Sequence, residues 1–262
     1  MNKVSLYRRL SQALLVAFIA FVGIRHQISG GGPEGSAPLD SYCPFGGIET
    51  LVYYMQTGQF IEKTNISNFI LLLAVLILGV VAGAAFCSWL CPLGTVQEWL
   101  AKLGKKIFGR NYEVPAKAHR VLRYLRYVTL FLIVYLTVQG SRLVFEEYDP
   151  FKVLFHFNFE TTTAIVIFVL TIVLSILIDR FWCKYLCPLG AVFSVLSRFN
   201  LINIRRNREQ CTDCGLCTKK CFMKIDVANE TKVSSADCTK CLECVNSCPK
   251  PEALMLTIGG GK

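Results

Sequence analysis

Two stretches of the chain carry the same motif: FCSWLCPLGTVQEWL at Phe86–Leu100 and FWCKYLCPLGAVFSVL at Phe181–Leu196. Each follows a long apolar run and contains Cys-x-x-x-Cys-Pro-Leu-Gly. The repetition indicates that two apolar segments each bring a pair of thiols to the same depth. The four cysteines of the two motifs are Cys87, Cys91, Cys183 and Cys187.

The apolar composition predicts a membrane protein. Of the 262 residues, 53% are hydrophobic, and the mean hydropathy is +0.45, which is too apolar for an ordinary soluble domain. The longest uncharged segment reaches roughly 28 Å as a helix, close to the thickness of the hydrocarbon core. No clear cleavage site follows the first segment, so we expect a span there rather than a signal peptide. The four predicted spans are Leu10–Ile24, Asn68–Phe86, Tyr127–Gly140 and Thr161–Ile178.

The net charge of +10 comes from basic residues whose distribution follows membrane topology, so no nucleic-acid partner is expected. Residues 1–9, 87–126 and 180–210 hold 3, 8 and 6 of the 28 Lys and Arg residues. The positive-inside rule therefore places these parts and both termini in the cytoplasm, with residues 25–67 and 141–160 outside. We expect a multi-pass protein of the cytoplasmic membrane.

The two halves resemble each other beyond the thiols. Tyr42–Phe45 and Tyr148–Phe151 both read Tyr-x-Pro-Phe in the predicted outer loops. Because both halves run in the same direction, a pseudo-two-fold axis along the membrane normal is expected. The predicted fold is a membrane α-helical domain at 1–204, with four spans as two parallel repeats, and a small α+β two-cluster ferredoxin domain at 205–262.

The ferredoxin prediction rests on two runs of the form C-x2-C-x2-C-x3-C. In two-cluster bacterial ferredoxins the fourth cysteine of each run binds the other cluster. Zinc ribbons use separated C-x2-C pairs rather than such triplets. We therefore predict two [4Fe–4S] clusters, although Phe222 follows Cys221 where the pattern has proline. The first ligand set is Cys211, Cys214, Cys217 and Cys248, and the second is Cys238, Cys241, Cys244 and Cys221.

The four cysteines of the paired motifs predict a further redox centre. Positions i and i+4 share one face of a helix, so each pair is expected to present both thiols to one ligand. Four thiolates suit an iron–sulfur cluster. A dithiol couple, a copper or zinc site and simple packing of buried thiols remain open alternatives.

Three residues of the predicted outer side are weaker candidates. Cys43 would be an incidental thiol or a contact to a cofactor or partner. His26 and His156 have the pKa range that a quinol site needs in a proton acceptor, although an ordinary interfacial role is the simpler interpretation.

The combination of two Cys-x-x-x-Cys-Pro motifs with a two-cluster ferredoxin module resembles the NapH- and NosR-type membrane ferredoxins. The resemblance implies electron transfer between the quinol pool, or a cytoplasmic donor, and a respiratory reductase, with quinol dehydrogenase activity in the complex. NosR-type proteins carry a large outer flavin-binding domain, which we do not expect here because the longest predicted outer stretch is residues 25–67. An outer flavoprotein or cytochrome is therefore expected as a partner, beside membrane lipid and quinone.

Two other functions stay open at this level. The first is an assembly or regulatory factor for a copper or other respiratory enzyme, as in the similar RdxA-type proteins. The second is an anchor subunit whose partner holds the catalytic site.

Overall fold

A computed structural model describes residues 3–30, 43–58, 66–140, 145, 148–156 and 162–259. The described part is mostly helical. In chain order its α-helices are α1 Lys3–Ser29, α2 Pro44–Thr57, α3 Ile66–Ala82, α4 Ala85–Trp89, α5 Pro92–Phe108, α6 Ala116–Leu122, α7 Leu125–Gly140, α8 Pro150–His156, α9 Thr162–Leu177, α10 Phe181–Tyr185, α11 Pro188–Leu196, α12 Leu216–Lys219 and α13 Glu243–Asn246.

Two described helices are long and apolar enough to cross a bilayer: Lys3–Ser29 and the continuous stretch Lys117–Gly140. The second and fourth predicted spans correspond to the shorter apolar helices α3 and α9, of 17 and 16 residues. Helices of that length reach only about 25 Å. A membrane protein is thus supported, whereas the number of four spans stays a prediction.

The same order of elements occurs twice in the helical part of the chain ahead of β1, which is here named the membrane part after its predicted spans. The order is seen in α1–α5 and again in α7–α11. It consists of a long apolar helix, a shorter helix that begins at proline, an apolar helix, a five-residue helix and another helix that begins at proline. The first helix of each set packs against the second helix of the other set: α1 against α8, and α7 against α2. This exchange is what a two-fold arrangement of parallel repeats would produce, and the repeat itself remains a prediction.

The carboxy-terminal module is built on a two-stranded antiparallel sheet. Strand β1, Ile202–Arg206, pairs with β2, Leu254–Ile258, with Ile204 opposite Leu256. The sheet begins at Ile202, three residues ahead of the predicted start of the module at residue 205, and that boundary stays a prediction. A separate apolar core contains Ile204, Val227 and Val233, each exposed by 2% or less.

Candidate iron–sulfur sites

The first ferredoxin run and the last cysteine of the second run line one cavity. The four cysteines that the crossed pattern assigns to one cluster all face it: Cys211, Cys214, Cys217 and Cys248. Arg206 and backbone groups complete its walls. Cys214 is exposed, whereas Cys217 is buried. The long-range partner in this set is Cys248, which the fold brings back beside the first run.

The second run approaches the last cysteine of the first run in the same way. Cys221 lies within electrostatic range of Cys238, Cys241 and Cys244. Burial raises the pKa of the Cys241 thiol to about 12, although Arg8 opposes the shift. A free thiolate is unfavourable there, because burial penalises charge, and a bound metal would supply the missing compensation. These residues therefore fit the predicted cluster chemistry.

Left-handed backbone conformations shape both runs alike. Asp213 and Lys240 precede the middle cysteine with φ of 49° and 50°. Gly215 and Leu242 follow it with φ of 68° and 60°. Left-handed φ is strained for residues other than glycine, and such strain concentrates at functional sites. The two loops consequently wrap their cysteines in the same way.

The paired motifs of the membrane part do not form one helical face, and the prediction from i and i+4 spacing is wrong. Helix α4 ends at Trp89, and Cys91 has extended backbone with ψ of 116° as the N-cap of α5. The Cys91 amide donates to the Phe86 carbonyl at 2.9 Å, as the Cys187 amide does to Trp182. Proline after the second cysteine begins a new helix instead of only ending the old one.

In each motif, a glycine in the first turn of the following helix allows that helix to pack closely against the carbonyl of the first cysteine. A Cβ atom added at Gly94 would lie 2.6 Å from the Cys87 carbonyl oxygen. The equivalent distance from Gly190 to the Cys183 carbonyl oxygen is 3.2 Å. The first cysteine is therefore held against the start of the following helix in both motifs, more tightly in the first.

The fold brings the two cysteine pairs together. Gln97, on the helix that follows the first pair, donates to Cys183 Sγ of the second pair at 3.3 Å. The Cys187 thiol lies within electrostatic range of Cys183, Cys87 and Cys91. Four thiols from two distant segments thus lie in one region, and a shared redox centre at these thiols stays a prediction.

An apolar cavity adjoins this region, with about 1010 Å³ of space including its mouth. One cysteine from each pair, Cys91 and Cys187, lines it, together with Phe and Leu side chains. Cys43 and Asp149, the counterparts in the two predicted outer loops, line it as well. The weak candidate Cys43 therefore lines the same cavity as two thiols of the pairs.

Of the two candidate histidines, only the side chain of His26 is described, and it does not line this cavity. His26 lies in the last turn of α1, half-buried, and does not belong to the described lining. His156 ends α8, and its side chain lies outside the described residues. The acidic group that faces the cavity is Asp149, which the sequence analysis noted only as the counterpart of Cys43.

The ferredoxin module contacts the first cysteine motif directly. Between the two cysteines of that motif, Ser88 Oγ donates to the Thr239 carbonyl at 2.6 Å and Trp89 Nε1 donates to the Lys240 carbonyl at 3.0 Å. Both carbonyls lie between Cys238 and Cys241 of the second ferredoxin run. The indole of Trp89 also packs against the core of the module. The loop of one predicted centre therefore lies against the loop of another.

A buried ion cluster reinforces this contact. Arg8, only 3% exposed, donates to Glu98 Oε2 at 2.5 Å, to Glu243 Oε1 at 2.8 Å and to the Cys241 carbonyl at 3.2 Å. Arg180, 1% exposed, donates to Glu98 Oε2 at 2.7 Å and to the Cys87 carbonyl at 2.8 Å. Burial alone would raise the pKa of Glu98, but Arg180 and Arg8 hold it far below its usual range. Glu98 is therefore an anion between two buried cations.

The residue that departs from the ferredoxin pattern has a structural role at the same contact. The Arg180 guanidinium lies over the Phe222 ring, 4.7 Å from its centroid. Cation–π contacts strengthen when both groups are desolvated. Proline at this position would offer no such ring. The aromatic side chain after Cys221 thus binds the module to the membrane part.

Sequence reasoning missed the buried charges, namely Arg8, Glu98 and Arg180. From their neighbours in sequence alone, such charged residues are interpreted as topology signals or as parts of a solvent-exposed helix face. A signal existed for Glu98, because it is the first charged residue after the Pro-Leu-Gly of the first motif. Its two buried partners, however, lie 90 residues before it and 82 residues after it.

Within the described residues, no group of three or more His, Cys, Asp or Glu side chains is close enough to hold a single metal ion. Thiolates that bind a [4Fe–4S] cluster attach to different irons, so they need not converge on one point.

Comparison with protein families agrees with this chemistry. A family described as a 4Fe-4S binding domain matches twice, at residues 64–111 and 161–209. A family described as a 4Fe-4S dicluster domain matches residues 203–249. The two matches of the first family each contain one paired motif, and the match of the second contains both ferredoxin runs.

Several curated proteins are similar along most of the chain. YccM of Escherichia coli K12, named for electron transport, is 33% identical over 84% of this chain and 64% of its own length. An uncharacterised protein of Methanocaldococcus jannaschii is 31% identical over 95% of this chain and 94% of its own. The ferredoxin-type protein NapH of Haemophilus influenzae is 27% identical over 94% of this chain and 87% of its own. No solved structure matches the chain.

Proposed function

The chain belongs to the NapH/NosR-type family of membrane ferredoxins and is an iron–sulfur electron-transport protein, and from that premise we propose that it is an integral membrane subunit. It exchanges electrons between the quinol pool, or a cytoplasmic donor, and a respiratory reductase or outer redox partner. The observation that carries the proposal is the direct contact between the first cysteine motif and the second ferredoxin run.

The eight cysteines of the module would hold two [4Fe–4S] clusters with crossed ligation. Support comes from the cavity that the first set lines and from the nearness of Cys221 to the second set. When bound, such clusters accept and release single electrons. The protein contributes burial, nearby cations and the left-handed loops that hold the thiols apart.

The four cysteines of the paired motifs would hold a further iron–sulfur or metal centre. Gln97 links the two pairs, since it donates to Cys183 from the helix after Cys91. Buried thiolates without compensation are costly, so a bound group accounts for them better than packing alone. The Cys87 carbonyl, bound by Arg180, connects this region to the cation cluster at the module.

Four spans with both termini in the cytoplasm would place the module and the paired motifs on the same side of the membrane. The outer partner would then be reached through the part of the chain that contains α2 and α8. Both helices border the apolar cavity, α2 through Pro44 and Phe45 and α8 through Phe151.

The test is anaerobic purification of the full chain, followed by an iron and acid-labile sulfide count and by reduction with a quinol. About 12 irons per chain are expected if the paired motifs hold a [4Fe–4S] cluster beside the two of the module. Quinol should reduce the bound centres without a soluble donor. Four irons or fewer, or stoichiometric zinc, would contradict the assignment of the module.

The assembly-factor alternative rests on the same thiols. Soft thiolates select copper, and four of them meet in one region. Stoichiometric copper bound at Cys87, Cys91, Cys183 and Cys187, with no quinol-linked reduction, would favour that function.

A further inference from the structure

A cleft with many exposed lysines runs along the seam between α5 and the ferredoxin module. Its cationic lining comes from both parts of the chain: Lys102 and Lys105 from α5, and Lys219, Lys220 and Lys224 from the module. These five residues are here named the lysine cleft. Arg9 of α1 lines the same space. Cys221, a predicted cluster ligand, and the neighbouring Phe222 form part of its wall.

The acidic side chains in the lining are already engaged by other groups. Glu98 binds Arg8, Arg180 and Lys102, and Glu243 binds Arg8. Asp179 accepts a hydrogen bond from Asn111 at 2.7 Å. Of the five lysines, Lys102 pairs with Glu98 and Lys224 pairs with Glu113. Within the described part of the chain, Lys105, Lys219 and Lys220 have no carboxylate partner, and they carry the positive charge that the lysine cleft presents.

Membrane topology does not explain this concentration of charge. The positive-inside rule concerns residues near the ends of spans, which covers α5. The module itself is close to neutral, with 7 Lys and 6 acidic residues in 211–262. Three of those seven lysines nevertheless line one cleft beside Cys221. A surface that binds a charged partner explains the placement of these lysines better than membrane topology does.

We propose that the lysine cleft is the docking surface for a small acidic electron-carrier protein, which deepens the proposed function by naming the class of its cytoplasmic partner. An acidic carrier complements the exposed lysines and would sit against Cys221, a predicted cluster ligand. One electron passes per encounter: the carrier is oxidised by one electron and this chain is reduced by one, so no other reactant is needed. Charge complementarity of this kind raises association rates and fades with salt.

The test measures binding of a flavodoxin, used as the acidic probe, to the full chain in nanodiscs of phosphatidylcholine. Lys105→Glu changes the cleft, and Lys106→Glu, exposed on the same helix but outside the lining, is the matched control. At low salt Lys105→Glu should weaken binding by about tenfold and the control by less than about twofold. The difference should vanish at high salt.

A second pair of variants tests the module side. Lys219→Glu with Lys220→Glu reverses charge in the cleft, and Lys232→Glu with Arg208→Glu makes the same change elsewhere on the exposed surface. The proposal would be overturned if both double variants lost binding affinity equally. It would also be overturned if the affinity of the wild type did not depend on salt concentration. A defect seen only with nanodiscs that contain phosphatidylglycerol would overturn it as well, because the cleft would then bind lipid headgroups. Quinol-linked reduction measured on the same samples reports on the proposed function separately.

Discussion

The two cysteine motifs have the same backbone and different neighbours. In both, a five-residue helix ends, an extended cysteine caps the next helix, and two amides share one carbonyl. Only the first motif donates side-chain hydrogen bonds to the ferredoxin module, through Ser88 and Trp89, among the residues the structure describes. The equivalent residues of the second motif are Lys184 and Tyr185, and Tyr185 bonds to His119 instead. The two motifs thus share their thiols and their backbone, whereas only the first contacts the ferredoxin module through these side chains.

Both repeats nevertheless contribute a buried arginine to the module. Arg8, near the start of α1, binds Glu243, and Arg126, near the start of α7, binds Asp237. Each acid directly precedes a cysteine of the second ferredoxin run, Cys244 or Cys238. The second run is therefore held at two points, at its start by α7 and near its middle by α1, and its orientation relative to the paired motifs is fixed.

The largest expected effect tests whether the two motifs share one centre. Cys87→Ser and Cys183→Ser should cause the same loss, about four irons per chain, because each removes one ligand of a common group. The visible and EPR spectra of the module should persist. Iron analysis of anaerobically purified protein measures the effect. Cys43→Ser is the control and should keep the full iron content, and unequal losses from the two motifs would show that the pairs act separately.

The sequence predicted the local motifs better than their surroundings. Apolar runs, the cysteine spacing and the ferredoxin module depend on nearby residues, and the module and the family are confirmed. The single helical face for each cysteine pair was wrong, because proline favours the first turn of a helix as much as it ends one. The Arg8–Glu98–Arg180 cluster joins three distant segments, so no local pattern could reveal it.

The next effect tests the ion cluster of the first motif. Glu98→Gln leaves Arg8 and Arg180 buried with less negative charge and should destabilise the fold by about 3–5 kcal/mol. Lys102→Met removes only the exposed partner of Glu98 and should cost about 0–1 kcal/mol. Thermal unfolding monitors both variants. Hydrogen exchange should also increase at residues 237–243 in Glu98→Gln, and unchanged protection there would show that the cluster does not hold the module.

A smaller difference is expected between the glycines of the two motifs. Gly94→Ala places a Cβ atom 2.6 Å from the Cys87 carbonyl oxygen, a clash with backbone that only a shift of the helix can relieve. A cost of about 1–3 kcal/mol is expected, as for other overpacked sites. Gly190→Ala meets the Cys183 carbonyl at 3.2 Å and should cost less. Unfolding temperatures compare the two, and an equal or reversed order would mean that the motifs pack alike.

The smallest effect separates the two motifs by what their aromatic residues bind. Trp89→Phe removes the indole N–H that donates to the Lys240 carbonyl at 3.0 Å, and Tyr185→Phe removes the hydroxyl that bonds to His119 Nδ1 at 2.9 Å. Each should cost about 1 kcal/mol, the usual net value of one hydrogen bond. Only Trp89→Phe should raise hydrogen exchange at residues 239–241, since Tyr185 has its partner in α6. Increased exchange in both variants, or in neither, would remove the distinction between a module-facing motif and an internal one.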